Sequence, residues 1–165
     1  MEIHLILDNA VIELAMRKAI SEAYAARKKG EDPFGAVLIN SEGEICCFSH
    51  SKCIELNDPT AHAEVLVIRD YCQKNKKIYL NGITIVSSGE PCVMCSGAIK
   101  WAKIETIIFG ISQKYIQEIS GGKAKPTCNE IVNTGNKKII IIENFLFEEG
   151  KHVFDNFTFV PKDKR

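Results

Sequence analysis

The chain has 165 residues, 45% hydrophobic and 25% charged, with 21 Lys+Arg balancing 21 Asp+Glu. That length suits one domain (1–165) around one sizeable core, and those fractions are those of an ordinary soluble globular protein, not of a disordered or membrane-embedded one. A formal net charge of zero argues mildly against a polyanionic partner, since nucleic-acid binders usually carry a basic excess or stripe, although a local basic face fits inside a neutral total.

The first residues, Met1 to Asp8, carry acids at both ends and too short an apolar run for a secretory leader. No run approaches the ~20 apolar residues that span a bilayer. Seven cysteines, an odd count without secretory context, point to reduced thiols and a cytoplasmic protein, and so to metal binding or core packing.

From Asp8 the apolar positions Ile12, Ala15, Met16, Ala19, Ile20 and Ala23 recur at helical spacing, with Asp8 or Asn9 as cap and Gly30 as stop. Ala36 to Ile39 reads as a buried strand, and Ser41-Glu42-Gly43-Glu44 turns into a second, Ile45 to Phe48. A polar loop, 49–57, leads to Asp58-Pro59-Thr60, which is expected to open a second helix ending near Asn75. Gly82 to Ser88 is a third strand. A helix follows from Pro91 to Ala102, with proline at its first position, where the missing N–H is harmless. Ile104 to Gly110 is a fourth strand and Ser112 to Ile119 a short helix. Beyond the loop 121–126, Cys128 to Asn133 reads as a helical turn and Lys138 to Ile142 as a fifth strand. A last helix, Phe145 to Phe154, is interrupted by Gly150, and a mobile tail is expected from 161. This order implies one mixed sheet covered by helices on both faces.

Chemistry concentrates in two stretches, Asp58 to Glu64 and Gly89 to Cys95. His62, Cys92 and Cys95 are three ligands of the kind that hold a zinc ion while leaving one position open, which is the catalytic arrangement. Cys92 and Cys95, three apart at a helix start, share a face, and the positive end of the helix favours their thiolates. His62 and Glu64 serve one pocket only if they lie in the entry turn of their helix, because two residues apart on a regular helix they diverge. Glu64 is then a proton carrier rather than a ligand. A structural zinc would need a fourth protein ligand, and Cys53, Cys72, Cys128 and His50 are the candidates, none at a customary paired spacing.

The pattern H-x-E…P-C-x-x-C is that of zinc deaminases. Pro33-Phe34-Gly35-Ala36-Val37, Asp58 to Val65 and Glu90 to Ile99 resemble the cytidine-deaminase-like superfamily, in the branch of bacterial guanine deaminases and tRNA adenosine deaminases. The likeness runs to about Gly110. It implies a three-layer α/β/α sandwich with a five-stranded mixed sheet, a homodimer, zinc on His62, Cys92 and Cys95, Glu64 as catalytic residue, and Phe34, Ser51, Ala63, Glu90 and Trp101 as substrate contacts. Trp101 and Phe34 are similar to the guanine-type pocket, Phe34 as a stacking wall; Trp101 has the alternatives of core or dimer residue. Two departures stand against simple guanine deamination. Ser51, beside His50, occupies the place of a substrate-binding Asn, and no acid lies between Glu118 and Glu130, where guanine deaminases have one. Cys46, Cys47, Cys72 and Cys128 read as packing residues.

The expected function is zinc-dependent hydrolytic removal of an exocyclic amine from a free purine or related heterocyclic base, releasing ammonia. The alternatives are deamination of adenosine in a tRNA anticodon loop, a cytosine or nucleoside deaminase, and a silent zinc-binding module, against which the intact Glu64 counts. Lys114, Lys123, Lys125 and the terminal Lys162-Asp163-Lys164-Arg165 are the candidates for phosphate contacts.

Overall fold

The computed structural model describes residues 7–160 and 164. The expected mobile tail, most of the terminal basic cluster and most of the N-terminal stretch lie outside the described residues. Helix α1 (Asn9–Lys28) buries Ile12, Ala15, Met16, Ala19, Ile20, Ala23 and Ala26, and Asp8 caps it by accepting from the Ala10 N–H. The chain leaves this helix through Gly30 at φ 79°, a conformation that costs glycine nothing.

Strands β1 (Gly35–Ile39) and β2 (Ile45–His50) form a hairpin. Helix α2 (Ala63–Asn75), strand β3 (Thr84–Gly89), helix α3 (Val93–Trp101) and strand β4 (Thr106–Ile111) follow. Then come α4 (Gln113–Ser120), α5 (Cys128–Val132), β5 (Ile140–Ile142) and α6 (Phe147–Gly150), the last running into a 3₁₀ turn, Lys151–Phe154. The strand order is β2-β1-β3-β4-β5; β1 is antiparallel to both its neighbours, whereas β3, β4 and β5 run parallel.

Alternation along the strands divides the core into two layers. Ala36, Leu38, Ile85, Ile107 and Phe109 face α2, α3 and α5, while Val37, Ile39, Val86 and Ile108 face α1 and Val153. A sheet covered on both sides needs near-continuous apolar strands, which is what Ala36 to Ile39 supplies. The expected three-layer α/β/α sandwich is therefore the observed one. Among the described residues no helix is long and apolar enough to cross a membrane.

At Gly35 helix α1 packs tightly against the sheet. A Cβ there would lie 2.2 Å from the Ala19 carbonyl oxygen and 2.8 Å from the Ala23 nitrogen. Gly35→Ala is expected to lower stability by about 2–3 kcal/mol through overpacking, read as a reduced urea midpoint with an unchanged slope.

Two helix expectations need correction. Asp58-Pro59-Thr60 does not open α2. Asp58 Oδ1 accepts from the Thr60 N–H and hydroxyl, a local turn that delays the helix to Ala63. The C-terminal helix is shorter than expected because Asn144 and Leu146 take left-handed backbone angles, φ 56° and 53°. Gly150 does not interrupt it by conformation, since its φ is −68°.

Candidate active site

The metal-ligand candidates sit on two helix starts at the ends of neighbouring elements. His62 is the N-cap of α2 and Cys92 the N-cap of α3, both with extended backbone angles and neither using its side chain to cap. The helix expected from Pro91 starts at Val93, so Cys95 is its third residue. Because His62 stands outside the helix and Glu64 is its second residue, the two side chains serve one pocket, as the entry-turn argument required.

His62 Nδ1 lies 3.6 Å from each of the two sulfurs, which are themselves 3.6 Å apart. A tetrahedral zinc with bonds of ~2.3 Å to sulfur and ~2.1 Å to nitrogen holds such ligands ~3.6–3.8 Å apart. The triangle thus fits zinc without rearrangement. Among the described residues no fourth His, Cys, Asp or Glu joins this group, so the donor set is that of a catalytic rather than a closed structural site. The fourth ligands considered from the sequence are engaged elsewhere or apart: His50 Nδ1 meets Glu22 on α1 at 2.8 Å, and Cys128 packs in the core.

The Cys92 thiol is drawn down to about 3, first by its hydrogen bond with Cys95, against burial and with help from His62. Cys95 is pushed up by the same bond and by burial. One negative charge is thus shared by two sulfurs, and a cation between them lets both ligate as thiolates. Glu64 is buried, accepts from Ser87 Oγ at 3.0 Å and lies 3.4 Å from Cys95 Sγ. Burial pushes its carboxyl up, Cys92 adds to this, and His62 and the Ser87 hydroxyl oppose it. A carboxyl raised in this way exchanges protons more readily near neutrality than an ordinary one.

The sequence model of the cytidine and deoxycytidylate deaminase zinc-binding region matches residues 10–111. The chain belongs to this family. A tRNA-specific adenosine deaminase of Aquifex aeolicus is 42% identical over 102 residues, 62% of this chain and 67% of that protein. The aligned segment thus spans about two thirds of that relative. One from Buchnera aphidicola is 32% identical over 151 residues, 91% of this deaminase and 93% of the relative. Among solved structures, one from a study of A-to-I editing by tRNA:A34 deaminases has a TM-score of 0.74 at 29% identity, covering 86% of this chain and 99% of that one. Guanine deaminase from Bacillus subtilis has a TM-score of 0.63 at 26% identity, covering 91% and 97%.

The deaminase is thus a zinc-dependent hydrolase, and His62, Cys92 and Cys95 form a possible zinc site. Of the expected substrate contacts, Ala63 is the first residue of α2, where an N–H has no intrahelical acceptor. Ser51 is buried beside Phe34, donating its N–H to the Phe34 carbonyl, and Lys52 N–H reaches the Ala61 carbonyl, so this loop borders the His62 turn. Phe34 is packed: a Cβ on Gly89 would touch its ring at 2.9 Å, and Phe154 and Phe159 lie 5.8 and 6.5 Å away, centroid to centroid. Its side chain remains half-buried. Trp101 does not join the site in this chain: it ends α3, 83% exposed, about 9 Å along the helix axis from Cys95. That exposure also answers the core alternative. The carboxylate of Glu90 is not turned to substrate, because the Gln113 and Cys128 N–H groups occupy it, each at 2.7 Å.

Two supports were missed in the sequence. Ser87 orients Glu64, and nothing but its place at the inward-facing end of β3 could have signalled it. Glu31, buried, accepts from the Ile54 and Glu55 N–H groups and so ties down the loop that carries Ser51. An acid directly after the Gly30 helix stop gives no such hint.

Proposed function

We propose that the deaminase converts adenosine to inosine in the anticodon loop of a tRNA. The observation that carries this is the 32% identity to a tRNA-specific adenosine deaminase over 91% of the chain. The free-purine reading ranks second. The similarity to guanine deaminase is lower, the Asn position is Ser51, and no acid stands between Glu118 and Glu130.

His62, Cys92 and Cys95 would hold zinc, which supplies the Lewis acidity that makes water a usable nucleophile near neutral pH. The chain's own residues do the rest. Adenosine leaves its neighbours in the loop and enters the pocket, as enzymes acting on a base require. The Ala63 N–H at the start of α2 gives a polar contact for the base. Glu64, steadied by Ser87, takes the proton from the attacking water and delivers it to a ring nitrogen. It then takes the proton of the hydroxyl newly bonded to the ring carbon and passes it to the amine as the C–N bond breaks, so that water and adenosine become inosine and ammonia.

The test is inosine formation by the zinc-loaded protein on a tRNA with adenosine at the first anticodon position, beside guanine, adenine and cytosine. Inosine with silent free bases supports the proposal; ammonia from a free base without inosine overturns it. Lys123 and Lys125 are exposed in the loop after α4. Reversing both charges (Lys123→Glu, Lys125→Glu) is expected to weaken tRNA binding about tenfold and to reduce the slope of log affinity against log salt by about 2.

A further inference from the structure

Residues 112–135 lie beyond the segment matched by the family, yet one side chain from the metal loop holds them. Glu90 Oε2 accepts from the Gln113 N–H and Oε1 from the Cys128 N–H, both at 2.7 Å, while Gln113 Nε2 donates to the Glu90 carbonyl at 3.1 Å. The Glu90 N–H in turn reaches the Ile111 carbonyl at 2.7 Å. A single buried carboxylate therefore closes both ends of an excursion made of α4 and the loop 121–127.

Helix capping does not require this arrangement. Ser112 already caps α4 through the Tyr115 N–H, and Thr127 with Glu130 forms a capping box on α5. Glu90 adds to those caps two short charge-assisted bonds, which offset the cost of burying its charge. The excursion it holds meets the metal loop and its helix: Ile116 lies 3.4 Å from a Cβ built on Gly89, and Cys128 shares a buried cluster with Ile99 of α3. Both donors to the carboxylate are main-chain groups, so the tie itself does not depend on the side chains of 114–127.

We propose that Glu90 is a positioning residue: it fixes the 113–128 excursion against the metal loop and so sets one wall of the substrate pocket. Two variants test this. Glu90→Gln puts an amide donor where an N–H must be accepted. Gln113→Pro removes both bonds from residue 113 while leaving α4 intact, since residue 113 is the first helical position and Ser112 is already extended (ψ 154°). Amide hydrogen exchange on the zinc-loaded chain reads the tie without any substrate. In Glu90→Gln, exchange at Gln113, Cys128 and the loop between is expected to rise about tenfold, the effect of losing a charge-assisted hydrogen bond. In Gln113→Pro the 114–127 stretch speeds up alone. Zinc content stays unchanged in both variants. KM, for whichever substrate the assay above identifies, rises about tenfold while kcat moves less than about threefold, the pattern of lost positioning. Unchanged exchange in both variants overturns the proposal. So does loss of zinc in Glu90→Gln with an unchanged KM in Gln113→Pro. Failure of the tRNA assay alone leaves the exchange result standing.

Discussion

Glu64→Gln is expected to lower turnover by about 10²–10⁴-fold, the range for loss of a general acid–base group, while zinc stays bound. The carboxyl lies outside the group of three ligand atoms, so its replacement removes no metal ligand. Its two neighbours, Ser87 Oγ and Cys95 Sγ, can both meet a glutamine side chain of the same shape. What disappears is a group that accepts a proton at one moment and returns it at another. Metal analysis together with the inosine assay separates the outcomes. Retained zinc with lost turnover fits the mechanism, whereas retained turnover would leave water activation without its proton carrier.

Cys92→Ala is expected to abolish both zinc retention and activity. Three ligands spaced 3.6 Å apart already match tetrahedral zinc, and two leave an open, exchangeable site. The linked effect is on stability. A ligand at ~100 times its Kd stabilises a fold by ~2.7 kcal/mol, and in a chain of this size each kcal/mol moves Tm by ~2–4 °C. Chelator treatment of the native chain should therefore lower Tm by about 5–10 °C. The Cys92→Ala variant should melt near that lower temperature with or without added zinc. A chelator-insensitive Tm, with activity surviving in the variant, would remove the metal from the account.

The parts of the fold legible in the sequence were those where period and punctuation agree. Helix α1 had both an apolar stripe and the Asp8 and Gly30 signals, and β1, β3 and β4 were apolar runs bounded by turns. The starts of α2 and α3 were misjudged by a few residues for a shared reason. Proline and aspartate favour a helix start, but at Asp58 they build a separate turn, and His62 and Cys92 are not residue types that mark an N-cap. The candidate metal ligands and Glu64, which the structure brings together, were legible because few residue types can do that work and their spacing is narrow. The packing partners of Glu90 and Phe34 were not legible, for the opposite reason. A carboxylate and a ring serve many purposes, and only their neighbours from distant segments, Cys128 for one and Phe159 for the other, decide which. The lean toward a free base drew on Trp101, which the fold sets on the exposed end of α3.

Two helices of this fold begin at residues whose side chains leave their own first N–H groups uncapped and converge on one point. A zinc ion held there would take over an anchoring task that serine or threonine performs elsewhere. Zinc bound there would couple the stability of the first turns of both helices. Residues 63–66 and 93–96 should fray together when the ion is withdrawn and tighten together when it returns.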